Sequence, residues 1–164
     1  MGTNMMRRVA VIVTVVLAAA VVAGAVDKPT PEFQNAMKSN ASIVDLVGGG
    51  GFGRDTNIEV ADVAGEPSLR AHLRAKDFDA IAKDAATLKE NFERVQAFWV
   101  ARKADDAVTL SKTALKQVAD LEMSARAQDA AGVTKAQAAL ANTCRDCHLA
   151  HRVVMLTERT FAIK

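Results

Sequence analysis

The feature that most constrains this chain is a pair of cysteines close to its C-terminus. Cys144 and Cys147 are the only two cysteines of the 164 residues, and His148 directly follows the second. Positions i, i+3 and i+4 share one face of an α-helix, so the two thiols and the imidazole can lie side by side. This C-x-x-C-H pattern is the one by which a c-type haem is attached. It predicts one covalently bound haem c per chain, with His148 as an iron ligand.

Two other uses of a C-x-x-C pair have to be compared with haem attachment. A thioredoxin-like dithiol occurs in a βαβ context, and no strand pattern surrounds Cys144. A structural zinc site needs four nitrogen or sulfur ligands. Beyond the two thiols, those ligands would have to come from His148, His151 and the distant His72. The sequence therefore favours haem, with the dithiol and the zinc site as open alternatives.

The first 25 residues are typical of an export signal. Arg7 and Arg8 precede an apolar run over residues 9–22, and Ala23-Gly24-Ala25 matches an A-x-A cleavage site. We expect cleavage after Ala25, which leaves residues 26–164 as the mature domain in a bacterial periplasm, the side on which c-type haem is attached. An uncleaved anchor is the alternative, because the apolar run is only slightly shorter than the roughly 17–25 residues of a spanning helix.

Removal of the signal also changes the charge of the chain. Without Arg7 and Arg8 the 21 basic residues fall to 19, which equals the 19 acidic ones. A nucleic-acid-binding protein needs a basic patch, so we expect no nucleic-acid partner, and no membrane contact after cleavage. The neutral balance gives no docking polarity for a redox partner. The partner protein therefore stays unidentified, and a homodimer is left open.

The first predicted helix begins at Thr30-Pro31-Glu32, with threonine as N-cap, proline in the first helical position and an acid in the first turn. Its apolar residues recur at intervals of three and four, to about Val47. They are Phe33, Met37, Ala41, Val44 and Val47. The glycine-rich residues 48–53 end this helix. Residues 54–67 have no clear pattern, and residues 68–75 suggest a short helix.

Three longer helices follow, capped by Asp77, Asp105 and Asp129. Their predicted inner residues are Phe78, Ile81, Ala85, Leu88, Phe92, Val95 and Trp99, then Ala107, Leu110, Ala114, Val118, Leu121 and Ala125, then Val133, Ala136, Leu140, Cys144, Cys147 and His151. Short loops make neighbouring helices antiparallel. No segment outside the signal alternates with period two, so no strands are expected. The predicted fold is all-α, an antiparallel up-and-down four-helix bundle.

Residues 29–162, with this helix pattern and C-x-x-C-H near the C-terminus, resemble the class II cytochromes c, the cytochrome c′ family. The matching residues are Cys144, Cys147, His148 and Arg152, the last corresponding to a basic residue that the family often carries four positions after the haem histidine. The resemblance implies an exported electron carrier rather than an enzyme. The family also contains proteins with an open sixth iron position, which suits binding of NO or CO. The glycine-rich insertion departs from the family pattern.

The sixth iron ligand decides between these two functions, since a methionine sulfur opposite histidine raises the reduction potential and closes the iron. Ala36-Met37-Lys38 resembles the axial-methionine segment of the family, and Met37 lies on the predicted inner stripe. Met123 lies off its stripe, and Met155 is expected on the same helix as His148, from which it cannot reach the opposite haem face. Met37 is therefore the predicted sixth ligand. The alternatives are a core-filling role for Met37 and ligation by His72.

Three further residues have two interpretations each. His151 is expected near the porphyrin edge or in solvent, one turn after the haem histidine. Arg152 is either a cation that favours a helix C-terminus or a charge near a propionate or the proximal imidazole. Trp99 is expected to pack in the core, with haem contact as the alternative.

Overall fold

The computed structural model describes residues 27–44, 68–155 and 160–164. Within these ranges the chain is mostly helical, which confirms the all-α class in its coarse form. The predicted signal, the glycine-rich residues 48–53 and the unpatterned residues 54–67 lie outside the described ranges. Across the part that is described, no helix has both the length and the apolar character needed to cross a membrane. The helices are α1 (Pro31–Val44), α2 (Leu69–Ala75), α3 (Phe78–Arg102), α4 (Asp105–Arg126) and α5 (Ala130–His151).

The helix starts follow the capping residues closely, with one exception. Asp77 and Asp129 each accept a hydrogen bond from a backbone N–H in the first turn of the following helix, as predicted. In α4 the N-cap is Ala104, which makes no side-chain cap bond, so the prediction for Asp105 is wrong by one residue. Asp105 and Asp106 instead occupy the first turn, where their negative charge favours the helix N-terminus.

The core lies where the long helices meet, with α4 in contact with both α3 and α5. The predicted inner stripe of α3 is buried from its second member onward: Ile81, Ala85, Leu88, Phe92, Val95 and Trp99. In α4 the buried residue is Ser111 rather than the predicted Leu110. The Ser111 hydroxyl donates to the Ala107 carbonyl at 2.8 Å. A buried hydroxyl that is satisfied within its own helix carries no desolvation penalty from an unmade bond.

The packing of α1 differs from the predicted stripe by a small rotation of the helix. Its buried residues are Ala36, Asn40 and Val44, while Met37 is half-buried and packs against the edge of the core. The cause is a polar contact with α3, because Asn91 Nδ2 donates to Asn40 Oδ1 at 3.0 Å. A buried amide needs such a partner, and the hydrogen bond with Asn91 keeps the Asn40 face of α1 turned towards the core.

The C-terminus contradicts the expectation that no strands are present. Strands β1 (Arg152–Met155) and β2 (Thr160–Ile163) form an antiparallel pair. Asp27 adds to the edge of β2, with hydrogen bonds of 3.0 and 2.9 Å between its backbone and that of Ile163. Neither strand alternates polar and apolar residues, since each consists of one polar residue followed by three apolar ones, so a period of two does not reveal them. The prediction that Met155 continues the helix of His148 is therefore wrong, since it lies in β1.

Candidate haem-binding site

The C-x-x-C-H residues lie in the last two turns of α5, which Asp129 starts and Arg152 ends in an extended conformation. Cys144, Cys147 and His148 are all half-buried, and Cys144 packs against the hydrophobic core. The two residues between the cysteines are exposed to solvent. The structure therefore brings the three predicted attachment residues together on the inward side of one helix, as their spacing requires.

Both thiols are free, and their burial favours the protonated form. Burial raises the pKa of Cys144 from 9.0 to about 12, with a further contribution from Cys147. Burial, then the nearby Asp106 carboxylate, raises the pKa of Cys147 to about 11. Cysteines of redox-active C-x-x-C pairs have lowered pKa values, because the thiolate is the reactive form. The surroundings therefore argue against a thioredoxin-like dithiol.

The surroundings of His148 favour its neutral form. Burial, followed by the positive charge of Arg152, lowers its pKa from 6.5 to about 4. A histidine ligates a metal through a neutral ring nitrogen, which is the form present here above about pH 4. The contribution of Arg152 to this pKa indicates that its positive charge lies near the imidazole of His148. Its backbone N–H donates to the His148 carbonyl.

Two cross-helix contacts bracket the position of Met37. Towards one end of α1, the Val44 carbonyl accepts a hydrogen bond of 3.1 Å from Gln137 Nε2 of α5. At the other end, the Phe33 ring lies 5.8 Å from the Trp99 ring, which in turn lies 4.9 Å from the ring of His151. Met37 lies between the two contacts on α1, and the C-x-x-C-H residues lie between them on α5.

The rise per residue of an α-helix gives the level of Met37 relative to the C-x-x-C-H residues. Met37 precedes Val44 by seven residues, and Cys144 follows Gln137 by seven residues, each about 10 Å along a helix axis. Met37 is thus level with the beginning of the attachment motif. Its half-buried position at the edge of the α1 face is a difference from the prediction, which placed it on the inner stripe.

His72, the other predicted candidate for the sixth iron ligand, lies far from the C-x-x-C-H residues. Its Nδ1 is 2.8 Å from Asp84 Oδ2, a contact between α2 and α3 with both side chains largely buried. Asp84 precedes Trp99 by 15 residues in α3, about 22 Å along the axis, whereas Trp99 contacts His151 at the end of α5. His72 therefore does not lie near the C-x-x-C-H residues.

A cluster at the end of α5 contains a residue that sequence reasoning missed. His151 packs on the buried Trp99, and its Nε2 lies 3.1 Å from Asp106 Oδ2, within ion-pair distance although not in hydrogen-bond geometry. Asp106 also acts on the pKa of Cys147. The sequence shows Asp106 only as a first-turn acid of α4. Its proximity to the motif depends on how α4 and α5 are aligned, which no local pattern specifies.

The zinc interpretation loses its remaining support. Over residues 27–44, 68–155 and 160–164, no group of three or more histidine, cysteine, aspartate or glutamate side chains is arranged to hold a metal ion. The residues present do fit a covalently attached haem, because two protonated thiols and one neutral imidazole share a half-buried helix face. No protein-family model, curated protein or solved structure matches this chain.

Proposed function

We propose that this chain is an exported mono-haem c-type cytochrome that carries single electrons. One observation carries the proposal: in α5, the half-buried Cys144, Cys147 and His148 lie at positions i, i+3 and i+4 on one helix face, and Cys144 packs against the hydrophobic core. Zinc binding and dithiol redox chemistry both need thiolates, which this environment disfavours. Addition of thiols to the vinyl groups of a porphyrin consumes the protonated form and matches what is present.

We further propose that α1, α3, α4 and α5 form an antiparallel up-and-down four-helix bundle, with α2 as a short addition. The supporting contacts between α1 and α3 run in opposite directions along the two helices. Phe33 early in α1 meets Phe98 late in α3, at 4.0 Å between ring centroids, while Asn40 later in α1 meets the earlier Asn91. The loops of only a few residues between α3, α4 and α5 agree with this arrangement.

Within this proposal each residue has a defined task. Cys144 and Cys147 would hold the haem through two thioethers, and His148 would bind the iron through its neutral ring. Arg152 would keep positive charge beside that imidazole, and Met37 would approach the opposite face with its thioether. A haem so bound supplies one-electron redox chemistry. The protein would set the potential through the axial ligands and the burial of the site.

A second candidate function follows from the packing of α1. The buried residue at the level of Met37 is Ala36, whose methyl group cannot ligate iron, while Met37 itself lies half-buried beside it. If the methionine stays at the edge of the core, the sixth iron position is open. The protein would then bind NO or CO, as the resemblance to the cytochrome c′ family also allows.

The first experiment is production of the full chain in bacteria that have the haem-attachment machinery. A denaturing gel stained for haem peroxidase activity should show a haem-positive band, which Cys144→Ala or Cys147→Ala should weaken. Absorbance spectra of the oxidised and reduced protein then identify the ligation. A colourless mature protein would overturn the proposal. The same preparation, fractionated and sequenced from its N-terminus, shows whether residues 1–25 are removed and whether the protein is periplasmic.

A further inference from the structure

A polar contact in the interior of the protein joins α1 to α3. Asn91 of α3 is 4% exposed, and its side-chain Nδ2 donates to Ser39 Oγ and to Asn40 Oδ1, each at 3.0 Å. A side-chain amide nitrogen carries two hydrogens, so Asn91 uses both of its donors on consecutive residues of α1. Consecutive residues differ by about 100° around a helix axis. The two bonds together therefore specify the rotation of α1 as well as its position.

This rotation keeps Asn40 inside the protein and Met37 at the edge of the core. Asn40 is 3% exposed, whereas Met37 is half-buried. Three residues separate them, which corresponds to about 60° around the axis of α1. A rotation by this angle would bring Met37 to the direction that Asn40 now has. It would shift each Cα atom of α1 by only about 2 Å, because these atoms lie about 2.3 Å from the helix axis.

The polarity of the two side chains favours the opposite arrangement. Methionine is often fully buried in proteins, whereas asparagine is mostly exposed. In addition, Asn40 Nδ2 is buried without an acceptor among the described residues, and a buried donor in this state is unfavourable. The ring contact between Phe33 and Phe98 also joins α1 to α3, but apolar contacts are non-directional. The two bonds from Asn91 therefore hold α1 in a rotation that its own side chains disfavour.

We propose that Asn91 is a positioning residue for the sixth iron ligand, which weakens ligation by Met37 and leaves its sulfur displaceable by NO or CO. The inference rests on the proposed function, because it concerns the iron of the attached haem. Asn91 acts only through the rotation of α1. The electron carrier and the gas-binding protein are then two populations of one molecule, with Met37 bound or the sixth position open, and Asn91 shifts their ratio towards the open form.

The test uses the haem-loaded protein and two measurements that report the sixth position. The ferric absorbance spectrum gives the low-spin fraction, and rapid mixing gives the rate of CO binding to the ferrous protein. Wild type should contain a high-spin fraction and bind CO. Asn91→Ala removes both donors, and Asn40→Ala removes one acceptor together with the buried amide. Both variants should raise the low-spin fraction and slow CO binding several-fold, because α1 is then free to turn Met37 inward.

Two controls separate this positioning role from a purely structural one. His72→Gln also breaks a largely buried contact to α3, but far from the C-x-x-C-H residues, so both measurements should stay at wild-type values. In a Met37→Leu protein, the further change Asn91→Ala should alter neither measurement, because no sulfur is left to position. A general loosening of the fold by Asn91→Ala would not depend on Met37.

Wild-type spectra and CO rates in Asn91→Ala and Asn40→Ala would overturn the positioning role. Faster CO binding in Asn91→Ala, or the same effect of this change with and without Met37, would also overturn it. Absence of covalent haem from the wild-type protein would instead overturn the proposed function, and this inference with it, so the two failures are distinguishable.

Discussion

Replacing Met37 with leucine separates the electron carrier from the gas-binding protein. The swap roughly conserves volume, and Met37 is only half-buried, so the free energy of unfolding should fall by less than about 1.5 kcal/mol. The fold and the covalent haem should therefore persist. If Met37 ligates the iron at the level of Cys144, its loss should convert a low-spin spectrum into a high-spin one. The weak long-wavelength band of methionine-ligated ferric haem should disappear.

Binding of CO to the ferrous protein gives the size of the effect. Where a sulfur ligand favours the closed form, removing it increases the fraction of open iron by about tenfold for each 1.4 kcal/mol of that preference. Rapid mixing with CO should show this gain in Met37→Leu. Met123→Leu is the matched control, because it makes the same chemical change at a side chain that is 64% exposed. Identical spectra and CO binding in wild type and Met37→Leu would refute the assignment and favour the open-iron function.

Three further predictions concern protonation and packing. Because the folded chain holds the pKa of His148 at about 4 rather than 6.5, the unfolded chain binds an extra proton between these values. The free energy of unfolding of the haem-free protein should be highest above about pH 6.5 and should fall by up to about 3 kcal/mol as the pH falls to 4. Urea denaturation of wild type and His148→Gln across that range measures the difference. Asn91→Ala should destabilise the fold by about 1–3 kcal/mol, because Asn40 loses its only buried amide partner among the described residues, and thermal unfolding should show the loss. His72→Gln should cost about 1 kcal/mol through the lost contact with Asp84 while leaving the haem spectrum unchanged, and a changed spectrum would place His72 near the iron after all.

The features that the sequence predicted well are those controlled by nearby residues. Asp77 and Asp129 cap their helices because the bonds they accept come from residues two or three positions later. The buried face of α3 is predictable because large apolar side chains recur on it from Ile81 to Trp99. The placement of Cys144, Cys147 and His148 on one face of α5 belongs to the same category, because it depends only on their spacing within one helix.

The features that the sequence did not predict depend on residues far apart in the chain. Asn40 was not expected inside, because the residue that satisfies it, Asn91, is 51 positions away. The strand β2 is held partly by Asp27, from the opposite end of the described chain. The burial of Ser111 instead of Leu110 in α4 is a local exception, because the Ser111 hydroxyl donates to a carbonyl of its own helix and so loses its polar cost. Hydrophobic periodicity contains no information on such pairings.

This distinction explains why the proposed covalent attachment and the proposed iron coordination differ in how far they can be predicted. Attachment requires only the local spacing on α5, whereas the sixth ligand depends on the rotation of α1 about its axis. That rotation is set by the distant Asn40 pair with Asn91 and by the bond between the Val44 carbonyl and Gln137. Successive residues differ by about 100° around a helix, so the contact that turns Asn40 inward also moves Met37 to the edge of the core. The iron coordination of this protein would then be decided by an amide pair that touches neither the haem nor its ligands.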